Sequence, residues 1–311
     1  MANPEDAYTR LSPGGDNAIA VTLGVLGDEW NLWILRHAIA GTRRYCDWFA
    51  HGTISHSVLT ARLAGLTASG ALVRQPYQQR PERFEYVLTE RGRSVWPILL
   101  AMWAWEQQWS PDAGTALPRM HHRICDSDFV PLLICRACGK SVRRTDIPTS
   151  LGPSGDWSRS VPASIDRRRS ARARHPAQFL PHTMELLGNR WSAAILGALF
   201  LGAARFVDFS RRTSAPPSIV ADRLARFARL GVVETRASRE RSDWPTYHLT
   251  AKGEAFFPAI AMMIDWGQHW FRAPEGPALI LRHRSCGNGF RPELHCGACA
   301  RPLHGRDIDI L

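Results

Sequence analysis

Six of the seven cysteines in this 311-residue chain fall into two matching sets. His122-x2-Cys125-x9-Cys135-x2-Cys138 recurs as His283-x2-Cys286-x9-Cys296-x2-Cys299. Thiolate and imidazole are the donors zinc prefers, and two close pairs joined by a short loop supply four ligands for one tetrahedral centre. The spacing predicts two structural zinc ions, one in each knuckle, with no coordination position open for catalysis. Three ionised thiols give each centre a charge of about −1, which would trim the formal net charge of +11 to about +9. Iron–sulfur or disulfide use fits neither the histidines nor three cysteines per set. Beyond stapling a small appendage, such a knuckle can also dock nucleic acid or a partner. The seventh cysteine, Cys46, stands where the second half has Val207, and so reads as a small buried apolar residue.

The ligands recur because the chain does. Gly27-Asp28-Glu29-Trp30 returns as Gly188-Asn189-Arg190-Trp191, an offset of 161 residues. The same offset carries Arg44 onto Arg205, Arg62-Leu63 onto Arg223-Leu224, Tyr86 onto Tyr247, and Trp105 and Trp109 onto Trp266 and Trp270. No gap is needed, so the chain is a tandem duplication. Boundaries are expected at 1–16 for an N-terminal tail, 17–110 and 178–271 for the two main units, 120–147 and 281–309 for the knuckles, and 148–177 for a linker. The linker is rich in Pro, Ser and Arg and reads as a flexible tether, with its arginine run a possible phosphate-contacting arm.

The elements of one unit follow from periodicity and punctuation. Ala18 to Leu26 and Glu29 to Ile39 carry apolar residues at helical spacing, and Gly41 closes the second of these. A short helix over Tyr45 to Ala50 follows, and then Ser55 caps a helix that turns Val58, Leu59, Leu63 and Leu66 inward up to Gly70. This is a helix-turn-helix pattern. Ala71–Arg74 and Phe84–Leu88 read as a hairpin, with Arg80 and Arg83 at its tip and Arg236, Arg239 and Arg241 at the tip of its copy. Arginines on such a wing suit phosphate or minor-groove contacts. A long helix over Arg93 to Trp109 bears two apolar stripes, which implies burial both in its own unit and against the other. The expected fold is therefore mainly α with small β wings, an α+β arrangement of two winged helix-turn-helix units forming an intramolecular pseudo-dimer, each with a zinc knuckle.

Each unit resembles the HxlR-type winged helix-turn-helix regulators, relatives of the MarR group. The resemblance rests on Gly27-x-x-Trp30, Gly41-x-x-Arg44-Tyr45, Arg62-Leu63, Gly70-Ala71-Leu72-Val73 and Tyr86 to Gly92, and covers roughly residues 17–109 and 178–270. It implies a DNA-binding transcription factor working as a two-fold dimer, with one chain here supplying both subunits. Members of the family often carry a thiol sensor at the start of the first helix, where this chain has Asn17 and Gln178, so that route is not carried over. Candidate DNA contacts are Arg44, Ser55, His56, Ser57, Thr60, Arg62, Arg80 and Arg83 in the first unit. In the second they are Arg205, Ser218, Arg223, Arg226, Arg236, Arg239 and Arg241. The heads differ at His56 against Pro217, Thr60 against Ala221 and Gly65 against Arg226, which points to an asymmetric or quasi-palindromic operator.

The charge balance favours double-stranded DNA as partner. No run approaches the roughly 18 apolar residues of a membrane span, and Met1 to Pro13 is polar, so a cytoplasmic protein without membrane contact is expected. No nucleophile–base grouping, phosphate-cradling loop or open metal site suggests an enzyme. Serines at the recognition positions keep a second reading open: a protein-interaction or ligand-sensing module with little sequence-specific DNA binding. The matched tryptophans also allow a pocket for a small aromatic effector between the winged domain and the long helix.

Overall fold

Asp28 and Asn189 show how the repeat becomes structure in the computed structural model of the chain. Asp28 Oδ1 accepts from the amides of Trp30 and Asn31, and Asn189 Oδ1 from those of Trp191 and Ser192, so each opens a helix. The structure describes residues 8–52, 54–109, 117–162, 180–237 and 244–310. The first unit holds β1 (Thr9–Arg10), α1 (Ala18–Leu26), α2 (Glu29–Ile39), α3 (Tyr45–Ala50) and α4 (His56–Ala68). Its wing is β2 (Leu72–Gln79) with β3 (Glu82–Leu88), followed by α5 (Glu90–Arg93) and α6 (Trp96–Trp109). An appendage of β4 (Met120–His122), β5 (Ser127–Asp128), β6 (Pro131–Cys135), β7 (Thr149–Leu151) and α7 (Trp157–Ser160) completes it.

The second unit repeats this plan. It holds α8 (Pro181–Leu187), α9 (Arg190–Phe200), α10 (Phe206–Thr213), α11 (Pro217–Arg229), and a wing of β8 (Val233–Ala237) and β9 (Pro245–Leu249). Next come α12 (Ala251–Glu254), α13 (Phe257–Trp270), β10 (Phe271–Arg272), β11 (Leu279–Leu281), β12 (Pro292–Cys296) and β13 (Ile308–Ile310). The long helix expected from Arg93 starts only at Trp96. Pro97 has no amide to give the carbonyl four residues back, so the segment breaks into α5 and α6 there.

The two long helices, α6 and α13, form the seam. Trp105 Nε1 donates to the Lys252 carbonyl at 2.9 Å, and its repeat mate Trp266 donates to the Arg91 carbonyl at 3.1 Å. Arg91 and Lys252 are themselves repeat mates, so the two bonds are related by a pseudo-two-fold axis. Both indoles are buried, and Phe256 meets Trp105 edge-on at 4.9 Å. One apolar cluster runs through both units, from Leu26 and Trp48 to Phe209 and Phe227.

At one pair of matched positions the symmetry is broken. Gly267 of α13 lies against α1, where an added Cβ would sit 2.0 Å from Thr22 Oγ1 and 3.1 Å from the Ala18 carbonyl. Its mate in α6 is Glu106, fully buried, which faces the start of α8. Glu106 accepts from the amides of His182 and Thr183 at 2.8 and 2.9 Å and from the Thr183 hydroxyl at 2.7 Å. The N-terminus of α8 has Leu180 at its cap position and no side-chain cap of its own. A carboxylate from the other unit therefore does for α8 what Asn17, accepting from Ile19 and Ala20, does for α1.

Two boundaries differ from expectation. The tail is held from Thr9 onward, because β1 pairs in parallel with β10 of the other unit and the Gly14 amide donates to Glu275 at 2.9 Å. Residues 148–162 are scaffold rather than tether: β7 pairs antiparallel with β11, and Asn17 Nδ2 donates to the Ser154 carbonyl and Ser160 hydroxyl. Pro and Gly there shape close turns instead of loosening the chain. The arginine run 167–174 lies outside the described residues.

Substituting Gly267→Ala should destabilise the chain by about 1–3 kcal/mol through overpacking, with partial rescue by Thr22→Ala. Glu106→Ala should cost about 3 kcal/mol, since it strands buried donors. Urea unfolding monitored by circular dichroism measures both. A Glu106→Ala variant as stable as wild type would mean that α8 is capped otherwise.

Candidate metal centres and nucleic-acid interface

The strand β6 decides how the metal ligands meet. Leu133, Ile134 and Cys135 are buried, and the run from Pro131 to Cys135 pairs antiparallel with β12 in the register Pro131↔Cys296 and Cys135↔Pro292. An extended strand rises about 3.3 Å per residue, so Cys135 is carried about 13 Å from Pro131, away from the His122–Cys125 turn. The same ladder brings Cys296 to the Pro131 end. The sequence reading of one centre per knuckle is corrected accordingly. His122 and Cys125 join Cys296 and Cys299, while Cys135 and Cys138 join His283 and Cys286. Every ligand residue expected is used, but each half of each knuckle finds its partner in the other unit.

In each set the four donor atoms lie within 4.8 Å of one another. His122 Nδ1 is 3.2 Å from Cys125 Sγ and 3.5 Å from Cys299 Sγ, and Cys125 Sγ is 3.8 Å from Cys296 Sγ. His283 Nδ1 is 3.3 Å from Cys138 Sγ and 3.4 Å from Cys286 Sγ. A tetrahedral ion with bonds of about 2.3 Å to sulfur and 2.0 Å to nitrogen needs S–S edges near 3.8 Å and N–S edges near 3.5 Å. The donor sets fit a metal ion. His122 Nε2 is buried with no partner among the described residues, and Nδ1 is the atom turned to the sulfurs.

The turns that present the ligands share one backbone device. The residue after each second ligand is left-handed: Asp126 (φ 52), Gly139 (φ 72), Gly287 (φ 71) and Ala300 (φ 59). Two of the four are non-glycine, so the knuckles hold a conformation that L-residues rarely adopt. Amides in these turns aim at ligand residues, with Cys138 and Gly139 both donating to the Cys135 carbonyl. Burial and the neighbouring Cys299 and Cys296 thiols push the Cys125 thiol up to about 11, whereas the amide of Asn288 helps hold Cys286 down at about 7. A cation among the sulfurs would let all of them ionise together.

The helix-turn-helix forms as the sequence indicates. Ser55 accepts from Val58 at 3.4 Å and starts α4, the recognition helix, with Ser57 and Thr60 exposed along it. His56 is less free than its position suggests: its ring stacks on Phe49 at 4.1 Å and its Nδ1 meets the Tyr45 hydroxyl at 2.9 Å. Sequence reasoning missed the roles of Tyr45 and Phe49, whose four-residue spacing on one face of α3 was the available signal. In the second unit their mates are Phe206 and Ser210, beside Pro217.

Several expected DNA contacts already have partners. Arg62 pairs with Asp28 at 2.8 Å, Arg226 with Asp222 at 3.1 Å and Glu185 at 3.5 Å, Arg223 with Asp222 at 3.4 Å, and Arg236 with Glu234. Arg62 thus ties α4 to the start of α2 and Arg226 ties α11 to α8, whereas Arg223 pairs within its own helix; the pairs are partly exposed and worth about 1 kcal/mol at most. Arg44 lies over the Tyr77 ring at 4.6 Å, Arg205 is the exposed N-cap of α10, and Ser218 is exposed at the start of α11. Arg80 and Arg83 are exposed at the first wing tip. Arg239 and Arg241 lie outside the described residues. Cys46 is exposed rather than buried, because the short α3 turns Trp48 inward instead.

Both halves match a known family in sequence. The family model described as HxlR-like helix-turn-helix fits residues 25–113 and again 186–275. The chain belongs to the HxlR family of DNA-binding transcriptional regulators, in tandem duplicate. Among its relatives is the uncharacterised HTH-type transcriptional regulator Rv3095 of Mycobacterium tuberculosis, 30% identical over 135 residues, or 43% of this chain and 85% of that protein. The uncharacterised regulator YybR of Bacillus subtilis is 36% identical over 88 residues, covering 28% of this chain and 70% of that one. A solved Pseudomonas aeruginosa structure, the proposed transcription factor PA1374, is 32% identical over 40% of this chain and 85% of that one, with a TM-score of 0.33. No single helix among the described residues is long and apolar enough to cross a membrane.

The exchanged ligand sets predict a distinctive metal count. Cys125→Ala with Cys299→Ala should remove one ion per chain, because both belong to one centre. Cys125→Ala with Cys135→Ala, two changes in one knuckle of the sequence, should remove both. Metal-to-protein ratios after gel filtration check this, and the reverse pattern would restore knuckles closed within each unit.

Proposed function

We propose that the two winged units act as one pseudo-two-fold reader of double-stranded DNA, regulating transcription in the cytoplasm from an asymmetric or quasi-palindromic operator. The observation that carries this reading is the reciprocal seam, Trp105 to Lys252 and Trp266 to Arg91, which sets two helix-turn-helix heads in one body. Operator symmetry mirrors protein symmetry, so heads that differ at Phe49 against Ser210 and His56 against Pro217 favour unlike half-sites. Exposed Arg80 and Arg83 suit phosphate contact, while Ser55, Ser57, Thr60 and Ser218 line the recognition helices for weaker hydrogen bonding to bases. Arg44 and Arg205 lead into the helix before each recognition helix and suit the phosphate backbone.

Zinc is the metal we assign to both centres, on the chemistry of three thiolates and one imidazole in tetrahedral spacing. With four protein ligands each ion is structural: it would tie the two units together and present no open site.

Selection from random DNA tests the reading directly. Two unlike half-sites in one bound sequence are expected, and a perfect palindrome bound by one chain would sink it. Charge reversal at Arg80 and Arg83 should reduce the slope of log affinity against log salt by about 2. An unchanged slope with no enriched sequence would favour the protein-interaction reading, to which the internal pairing of Arg62, Arg223 and Arg226 lends some weight.

A further inference from the structure

A cavity of about 440 Å³ opens between the start of α6, the α13 helix and the second knuckle. That is within the range of small-molecule sites, whereas the apolar cavity between α1, α9 and α13 holds only about 80 Å³. Its aromatic side is rigid. Trp266 and Trp270 are buried, and both donate to the Ser94 hydroxyl, at 3.1 and 3.0 Å. Trp96 is half-buried, with Gly305 packed closely on its indole.

The charges around the cavity are of two kinds. Arg136 and Glu293 satisfy each other at 3.2 Å, and Glu293 also takes His295 at 2.8 Å. Asp265 and Arg291 are different. Both are exposed to the cavity and neither makes a side-chain hydrogen bond or ion pair among the described residues. They nevertheless feel one another, and desolvation by the surrounding walls keeps the Asp265 carboxyl above its usual range despite the nearby Arg291, His269 and Arg136. An acid and a base that act on each other without touching define a slot with a vacancy of each sign.

The other half of the molecule provides a comparison. Under the repeat, Asp265 becomes Ala104, His269 becomes Gln108, Arg291 becomes Val130, Glu293 becomes Leu132 and Arg136 becomes Gly297. The tryptophans are kept, since Trp266 and Trp270 become Trp105 and Trp109. One duplicated seam thus has tryptophans on both sides and an acid–base pair on only one. The seam itself does not require this, because the copy without the pair makes the same indole-to-carbonyl bond, Trp105 to Lys252.

We propose that this cavity binds a small zwitterion of the α-amino-acid type with a planar side group, its ammonium on Asp265, its carboxylate on Arg291 and its plane against Trp96. A carboxylate and a guanidinium each gain a charge-assisted partner that the protein withholds, and the indole face suits a planar group. The knuckle supplies Arg291 and α13 supplies Asp265, so the site lies where the metal-bearing extension meets the long helices.

Isothermal titration of the intact metal-loaded chain, without DNA, tests this independently of the operator reading. L-tryptophan and L-phenylalanine are the probes, with tryptamine and 3-indolepropionate as analogues carrying one charge each. We expect saturable binding of one L-tryptophan per chain and at least about tenfold weaker binding of each one-charge analogue. Asp265→Asn should weaken L-tryptophan at least about tenfold while leaving 3-indolepropionate unchanged, and Arg291→Gln should do the converse with tryptamine. An unchanged thermal midpoint separates these effects from misfolding. No heat with either amino acid up to about 10 mM, or equal affinity in Asp265→Asn, would overturn the proposal.

Discussion

The antiparallel ladder between β6 and β12 is the constraint on which the rest depends. Five extended residues place Cys135 and Cys296 at opposite ends of one short two-stranded sheet. From that register the composition of both metal sets follows, because each cysteine is delivered to the His-x2-Cys turn of the other unit. The neighbouring pairings agree with it: β4 of the first unit takes β13 from the chain's end, and β11 of the second takes β7. Neither appendage is therefore a complete knuckle by itself. The ions would join the halves in the same direction as the seam of long helices, so the heads are positioned by two independent devices.

A dimer of identical subunits must use one surface twice, but a fused chain need not. Position 106 and its mate 267 show the consequence. A glycine lets α13 close on α1, while a glutamate in α6 reaches out to cap α8. Were both glutamate, Thr22 and the Ala18 carbonyl would be crowded on one side. Were both glycine, the first amides of α8 would lose their acceptor. Each half has been fitted to a different neighbour, and the helix that lost its own cap borrowed one from across the axis.

Much of this was legible in sequence where the cause is local. The caps at Asn17, Asp28 and Ser55, the left-handed closures at Gly41 and Gly70, and the wing strands all depend on residues within a few positions of one another. The ligand residues were legible too, through composition and spacing. Their pairing was not, since x9 between two cysteine turns serves equally for a loop that returns and a strand that departs. The apolar run Pro131 to Ile134 was the sign of a strand, but only its partner sets the register. The same limit applied to the arginines: Arg62 meets Asp28, and Arg226 meets Glu185, only once the fold brings their helices together. It applied again to residues 148–162, whose turn-rich composition marks an irregular path but not a mobile one.

Fusion also explains why charge could enter one side of the seam. In a symmetric dimer, replacing Ala104 with aspartate would introduce two carboxylates near the axis at once, together with two copies of any compensating arginine. Burying charge without a partner is costly, so both sites would have to be satisfied simultaneously. In the duplicated chain the counterpart positions, Ala104 and Val130, are apolar, with Ala104 packed against the core and Val130 exposed, while Asp265 and Arg291 face open space. Both copies keep the indole-to-carbonyl bonds of the seam, through Trp105 and Trp266. The fused chain can therefore hold an acid and a base beside open space on one side without accommodating a second such pair across the axis.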